Sequence, residues 1–251
     1  MKKRAGRKIG PGSRNLKPRL QALGLVWLFL TVPLYREPQA LEAETAALSA
    51  ADSADRESAM DSVPGTAPLI AITFDDGPDA EWTPVLLDGL KERGVKATFF
   101  LIGANISQDG NESLVRRMYA EGHLIGNHTY HHVNLAKLSS SGAEEELGMT
   151  DQLIEEITGA FPFLVRPPFG AFPQGEEEPD KLYVKWTVDS SDWVTKNTAE
   201  IVRKVVTDVE ENDIILMHDC YETSVEAALQ IVDILKDEGY EFVTLDKLLI
   251  D

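Results

Sequence analysis

From Pro68 onward, short β-branched apolar runs alternate with amphipathic stretches, and no other feature restricts the fold of this chain so severely. Strand-like runs fall at Leu69–Phe74, Ala97–Ile102, His123–Gly126, Phe163–Val165, Tyr183–Val188, Asp213–Met217 and Glu241–Leu245. Helical patterns lie between them, at Pro84–Arg93, Glu112–Ala120, Gly142–Thr158, Ala199–Glu210 and Ser224–Glu238. The last puts Val225, Ala228, Leu229, Val232 and Leu235 on one stripe. Strands that alternate with helices build βαβ units and therefore a parallel sheet. About seven such strands fit an α/β domain, either a small or incomplete (β/α) barrel or an open sheet. No internal repeat of fixed period is present.

The residues ahead of this domain have a different character. Residues 1–20 hold eight Lys/Arg and no acid, and the first carboxylate is Glu37. The apolar run LQALGLVWLFLTVPLY, Leu20–Tyr35, follows directly. A positive flank before an apolar run of this length predicts a signal peptide or signal anchor over 1–35. The flank stays inside and the remainder is exported. The sites Pro38-Gln39-Ala40 and Leu41-Glu42-Ala43 are poor small-x-small sequences, so cleavage and retention both stay open. Residues 36–66, rich in Ala, Ser, Glu and Asp, read as a flexible acidic linker. The domain then spans 67–251. Setting aside the eight leader bases leaves 16 of the 24 against 42 acids. So acidic a body excludes nucleic-acid binding through phosphate neutralisation. Cys220 is the only cysteine, so no internal disulfide forms and the core alone must hold the exported domain.

The chemistry starts at LIAITFDDGPD, where Asp75 and Asp76 end a buried strand side by side. Two like charges there repel and lose hydration, which calls for a positive group between them. Four of the five histidines lie in EGHLIGNHTYHH, as His123, His128, His131 and His132. His128 and His132 are four apart, so one helical turn or tight loop puts two imidazoles on one face. Two imidazoles and a carboxylate suit a first-row metal, and catalytic zinc uses three protein ligands plus water. One aspartate can be the third ligand and the other a base. Zinc proteases place Glu directly after the first His; here that position is Thr129, so the base comes from elsewhere, and Asp75 is available. Asp75, Asp76, His128, Arg166, Asp192 and His218 all follow strand candidates. In parallel α/β folds, functional groups gather at the carboxyl ends of strands.

These residues resemble the NodB-homology polysaccharide deacetylases, carbohydrate esterase family 4. TFDDG is Thr73–Gly77, H-[ST]-x-x-H is His128–His132, and R-x-P-[FY]-G is Arg166–Gly170. D-x-x-D-W is Asp189–Trp193, and L-x-H is Leu216–His218. The resemblance implies a distorted (β/α) barrel and hydrolysis of N- or O-acetyl groups on a sugar polymer. It implies that Asp76, His128 and His132 hold a divalent metal, zinc or cobalt. Asp75 would be the general base, oriented by Arg166, and His218 the general acid, tuned by Asp192. Trp193 and Leu216 would wall the acetyl methyl, and the Phe169 backbone N–H would support the oxyanion. The expected substrate is N-acetylglucosamine in peptidoglycan, with chitin-type polymers, poly-N-acetylglucosamine and acetylated xylan as alternatives. The enzyme is expected as an extracytoplasmic monomer, anchored in the membrane or secreted.

Two rivals belong to other classes. A catalytically inactive wall- or glycan-binding module requires a lost base, acid or ligand, and none is missing. An Fe(II) oxygenase could use two His and one carboxylate, but the Arg-Asp and Asp-His partners argue against it. His123 reads as structural, and Asp219 as the cap of the following turn. One segment departs from the family, AFPQGEEEPDKLYVK, where Pro173, Gly175 and Pro179 break any helix and Glu176–Glu178 form an acidic tip.

Overall fold

The computed structural model describes residues 67–173 and 180–250. The expected leader (1–35), linker (36–66) and acidic tip Glu176–Glu178 lie outside the described residues. Among the described residues no helix is long and apolar enough to cross a membrane.

Among the described residues eight parallel strands form the sheet: β1 (Leu69–Asp75), β2 (Thr98–Leu101), β3 (Leu124–Asn127), β4 (Leu164–Val165), β5 (Leu182–Tyr183), β6 (Val188–Asp189), β7 (Ile214–His218) and β8 (Glu241–Phe242). Seven run in the order β5-β4-β3-β2-β1-β7-β6, and β8 pairs with the first residues of β1. β5 and β6 are neighbours in sequence yet occupy the two ends of this order. The sheet therefore curls without closing, giving an incomplete (β/α) barrel. The single strand expected at Tyr183–Val188 is instead the ends of two strands. Its first residue ends β5 against β4, its last begins β6 against β7, and the residues between cross the opening. At Val184 the N–H still donates to Val165, and by Thr187 it donates to Ile214 on the other side.

The helices are α1 (Trp82–Glu92), α2 (Gly103–Ile106), α3 (Asn111–Ala120), α4 (Ser140–Thr158), α5 (Thr198–Asp208), α6 (Glu222–Asp237) and α7 (Leu245–Ile250). The Oγ of Ser139 caps α4 by accepting from the Gly142 N–H, and Gly159 ends it at φ 74°. Asn197 caps α5 in the same way, through the Glu200 N–H.

Strand alternation sorts the side chains into two layers. Ile70, Ile72 and Phe74 of β1 join Ile215 and Met217 of β7 in a core shared with Leu86, Leu90, Ile231 and Val232 of the helices. Ala71 and Ile214 face the barrel interior with Phe100, Leu164 and Val184. The same period puts Thr73 and Asp75 on the Ala71 face, and Leu216 and His218 on the Ile214 face. The apolar alternation of two central strands thus carries a carboxylate and an imidazole to one rim.

Candidate active site

Arg166, directly after β4, is fully buried, so its charge must be met inside the protein. Its Nη1 donates to Asp75 Oδ1 at 2.8 Å and to Thr73 Oγ1 at 2.6 Å. Nη2 donates to the Lys185 carbonyl at 3.1 Å, and the guanidinium stands 4.2 Å above the Phe100 ring. Burial pulls the Arg166 pKa down and Asp75 pushes back. The pair fixes one oxygen of Asp75 and leaves the other to face the site.

His218, the last residue of β7, is held by Asp192 in the loop after β6. The ring Nδ1 meets Asp192 Oδ1 at 2.7 Å, and the backbone N–H donates to Oδ2 at 2.8 Å. Burial alone would lower the His218 pKa, but the hydrogen bond and charge of Asp192 lift it to about 9. The ring therefore carries its proton at neutral pH, with Nε2 toward the cavity.

Asp76, His128 and His132 present one ligand atom each, all within 4.8 Å of one another. Asp76 Oδ1 lies 3.4 Å from His128 Nε2 and 3.3 Å from His132 Nε2. The two histidines sit on a tight loop rather than a helix, with Thr129 at φ 66° and His132 at φ 54°. The residues fit a metal on two counts. Asp76 Oδ1 is buried without a hydrogen-bond partner, which a cation would supply. His128 Nδ1 donates to the Arg166 carbonyl at 2.5 Å, which leaves the Nε2 lone pair for a ligand bond. Burial lowers the His132 pKa, which favours the neutral ring that coordination needs. Burial pushes Asp76 up, and the imidazoles of His128, His218 and His132 outweigh it, so the carboxyl stays below its ordinary value.

One cavity of about 480 Å³ gathers Asp75, Asp76, His128, His132, Phe169, Trp193, Leu216 and His218. Arg166 and Asp192 stand behind Asp75 and His218, so the structure brings all ten residues selected from the sequence together. Phe169 is at φ 62°, with its ring edge-on to His132 at 4.8 Å between centroids. Trp193 is 57 % exposed at the mouth and Leu216 is buried.

Other residues were given no role from the sequence, although Thr73 and Asp189 open two of its motifs. Trp186, Asp189 and Tyr221 also line the cavity. Thr73 bonds Arg166 and in turn donates to the Ile215 carbonyl at 2.7 Å; its place two residues before Asp75 on an alternating strand was the available signal. Asp219 is not a turn cap. It is fully buried beside Gly77, accepts from Thr83 Oγ1, and is pushed by burial to about 7. His123 lies away from the site, its Nδ1 accepting the Ala97 N–H at 3.1 Å. His131 is turned to Glu146 at 2.8 Å.

Comparison with known proteins agrees with this geometry. Residues 62–178 match the family described as polysaccharide deacetylase. The chain is 40% identical over 180 residues to the peptidoglycan-N-acetylglucosamine deacetylase PgdA of Listeria monocytogenes serotype 1/2a, covering 71% of this chain and 38% of the relative. It thus spans well under half of that relative's length. The solved structure of peptidoglycan deacetylase PdaC from Bacillus subtilis superposes with a TM-score of 0.70 at 37% identity, covering 74% of this chain and 92% of the other. A family 4 acetyl xylan esterase from Clostridium thermocellum, solved with a cobalt ion, gives 0.64 at 34% identity, covering 72% and 89%. The chain belongs to the polysaccharide deacetylase family.

Proposed function

We propose that the protein removes acetyl groups from N-acetylglucosamine units of peptidoglycan, outside the membrane, with residues 1–35 as tether or export signal and 36–66 as spacer. The observation that carries this reading is the pair of opposed proton carriers, Asp75 with Arg166 and His218 with Asp192, flanking an Asp-His-His cluster in one cavity. Similarity to PgdA, named as a peptidoglycan-N-acetylglucosamine deacetylase, supports this sugar, while PdaC, named as a peptidoglycan-N-acetylmuramic acid deacetylase, supports the polymer alone. The neighbour solved with cobalt supports the metal.

Asp76, His128 and His132 would hold one divalent ion, with zinc the first candidate. When bound, it supplies Lewis acidity toward an acyl oxygen and lowers the pKa of a water. The protein's own groups do the rest. Asp75 Oδ2 accepts a proton from the attacking water as its oxygen bonds to the acyl carbon, while Arg166 anchors Oδ1. The Phe169 N–H donates to the developing oxyanion. His218 Nε2 delivers its proton to the sugar nitrogen as the C–N bond breaks, and Asp192 holds the opposite ring nitrogen. The products are acetate and a free amine. Trp193 and Leu216 enclose the methyl group.

The test is acetate release by the full-length protein from peptidoglycan, N-acetylglucosamine oligomers and acetylated xylan, after chelation and again after zinc or cobalt is restored. The expected result is metal-dependent release, fastest from peptidoglycan, with Asp75→Asn slower by at least ~10²-fold. Preference for xylan would change the substrate. No release from any polymer, with metal bound and the fold intact, would leave a glycan-binding module.

A further inference from the structure

We infer that two carboxylates on α4, Glu146 and Asp151, are positioning residues that lock the loop carrying both histidine ligands. The inference rests on Asp76, His128 and His132 being a metal site. Thr129 and His132 occupy the left-handed region, which a β-branched threonine adopts only when its surroundings impose it. Side chains hold three consecutive amides of this loop. Glu146 Oε2 accepts the N–H groups of Tyr130 at 3.1 Å and His131 at 2.9 Å, while Oε1 meets His131 Nδ1 at 2.8 Å. The third amide, Thr129 N–H, donates to Asn127 Oδ1 at 2.7 Å.

Asp151 decides which end of the Asn127 amide faces the loop. Asn127 Nδ2 donates to Asp151 Oδ1 at 2.7 Å and to the Leu147 carbonyl at 2.8 Å. Both partners are acceptors, so a flipped amide would set oxygen against oxygen and NH₂ against the Thr129 N–H. Only one orientation satisfies all three groups. Asp151 lies on the buried stripe of α4 with Leu147 and Ile154, where an unpaired carboxylate would be costly. Its second oxygen meets Lys181 Nζ at 2.6 Å; that ammonium also donates to the Pro162 carbonyl and stands 4.1 Å over the Phe161 ring. The counter-charge thus comes from the chain just before β5, away from the cavity. Asp151 and Glu146 both fall outside the cavity lining, so neither acts on substrate directly. A single helix, through two acids five residues apart, grips the inner and outer halves of the ligand loop.

The test uses the full-length protein stripped of metal and titrated with Co(II), followed by visible absorption, beside metal-free melting temperatures. Glu146→Ala is expected to weaken cobalt binding about 10-fold, the lower end of the range for groups that bond the ligands themselves, since Glu146 holds the loop between them, and to alter the cobalt spectrum. Glu146→Gln is expected to recover most of the affinity, because its one carbonyl oxygen still accepts both amides. Asp151→Leu combined with Lys181→Met removes the buried pair together, which avoids a lone buried charge, and is expected to weaken cobalt binding while the metal-free protein still melts within a few degrees of wild type. Wild-type affinity and spectrum in Glu146→Ala would overturn the inference. So would a Glu146→Gln protein as weak as the alanine variant, with affinity falling only in step with melting temperature. If the double variant does not fold, the two Glu146 variants decide. A wild-type protein that takes up no cobalt would instead overturn the metal-site reading itself.

Discussion

His218 and Asp192 show how one hydrogen bond can set a working pH range. Burial favours the neutral ring, and the Asp192 carboxylate, itself fully buried, reverses that preference and brings the pKa to about 9. As the proposed general acid, His218 must carry its proton, so the rate should fall as pH rises through that value. A bound divalent ion is a further positive neighbour and draws the limb somewhat below 9. Asp192→Asn keeps the shape and removes the charge. Its kcat/KM profile should lose the basic limb from this region and show it near or below the ordinary 6.5, with kcat reduced at every pH. Stability follows the same titration. The folded pKa of His218 is raised, so its stabilisation is complete below 6.5 and is lost as pH rises toward 9. Melting temperatures of the metal-free protein should decline across that window in wild type and stay flatter in Asp192→Asn. A wild-type basic limb unchanged by the substitution would assign the limb to another group.

At the level of elements, the alternation along β1 and β7 made most of the fold and most of the site legible, because each apolar residue facing the helices fixes where its neighbour points. Asp75 and His218 were therefore placed on one rim by the periods of their own strands. From its own neighbours Arg166 was legible as a charge at a strand end, and the family resemblance alone tied it to Asp75; that it is fully buried against Phe100 depends on curvature, which no local pattern records. The strand at Tyr183–Val188 was misread for a related reason. Its residues are a continuous β-favouring run, and the break arises from where β4 ends and β7 begins, not from any Gly or Pro within it. Asp151 was hidden because a single acid on an otherwise apolar helix stripe reads as noise until Asn127 is seen beside it. Sheet curvature also makes the site sensitive to packing at a distance. A Cβ added at Gly126 in β3 would lie 2.6 Å from the Phe100 ring and 3.1 Å from the Leu164 carbonyl. Gly126→Ala should cost about 1–3 kcal/mol, as overpacking typically does, read from denaturant unfolding. Because the displaced ring is the one beneath the Arg166 guanidinium, kcat should fall as well. Lost stability with unchanged kcat would mean that Phe100 does not help to place Arg166.

For the whole molecule the controlling quantity is charge. Outside its first 20 residues the chain carries 16 Lys/Arg against 42 Asp/Glu, and the proposed substrate, peptidoglycan, is itself anionic through the free carboxylates of its peptides. Like charges slow encounter between body and polymer, and salt screens them, since the Debye length falls from about 30 Å at ~0.01 M to about 8 Å at ~0.15 M. Two cations stand beside the cavity against this background. Lys196 lies 3.4 Å over the Tyr221 ring, and Lys185 packs near Gly170 and Phe172. The two effects have opposite salt dependence, so one measurement separates them. If the body dominates, as the imbalance of charge argues, kcat/KM on soluble peptidoglycan fragments should rise as salt increases over that range, while the rate on neutral N-acetylglucosamine oligomers stays level. If local attraction to Lys185 and Lys196 dominates, the rate on peptidoglycan should fall with salt instead, and replacing both lysines with glutamine should abolish the fall.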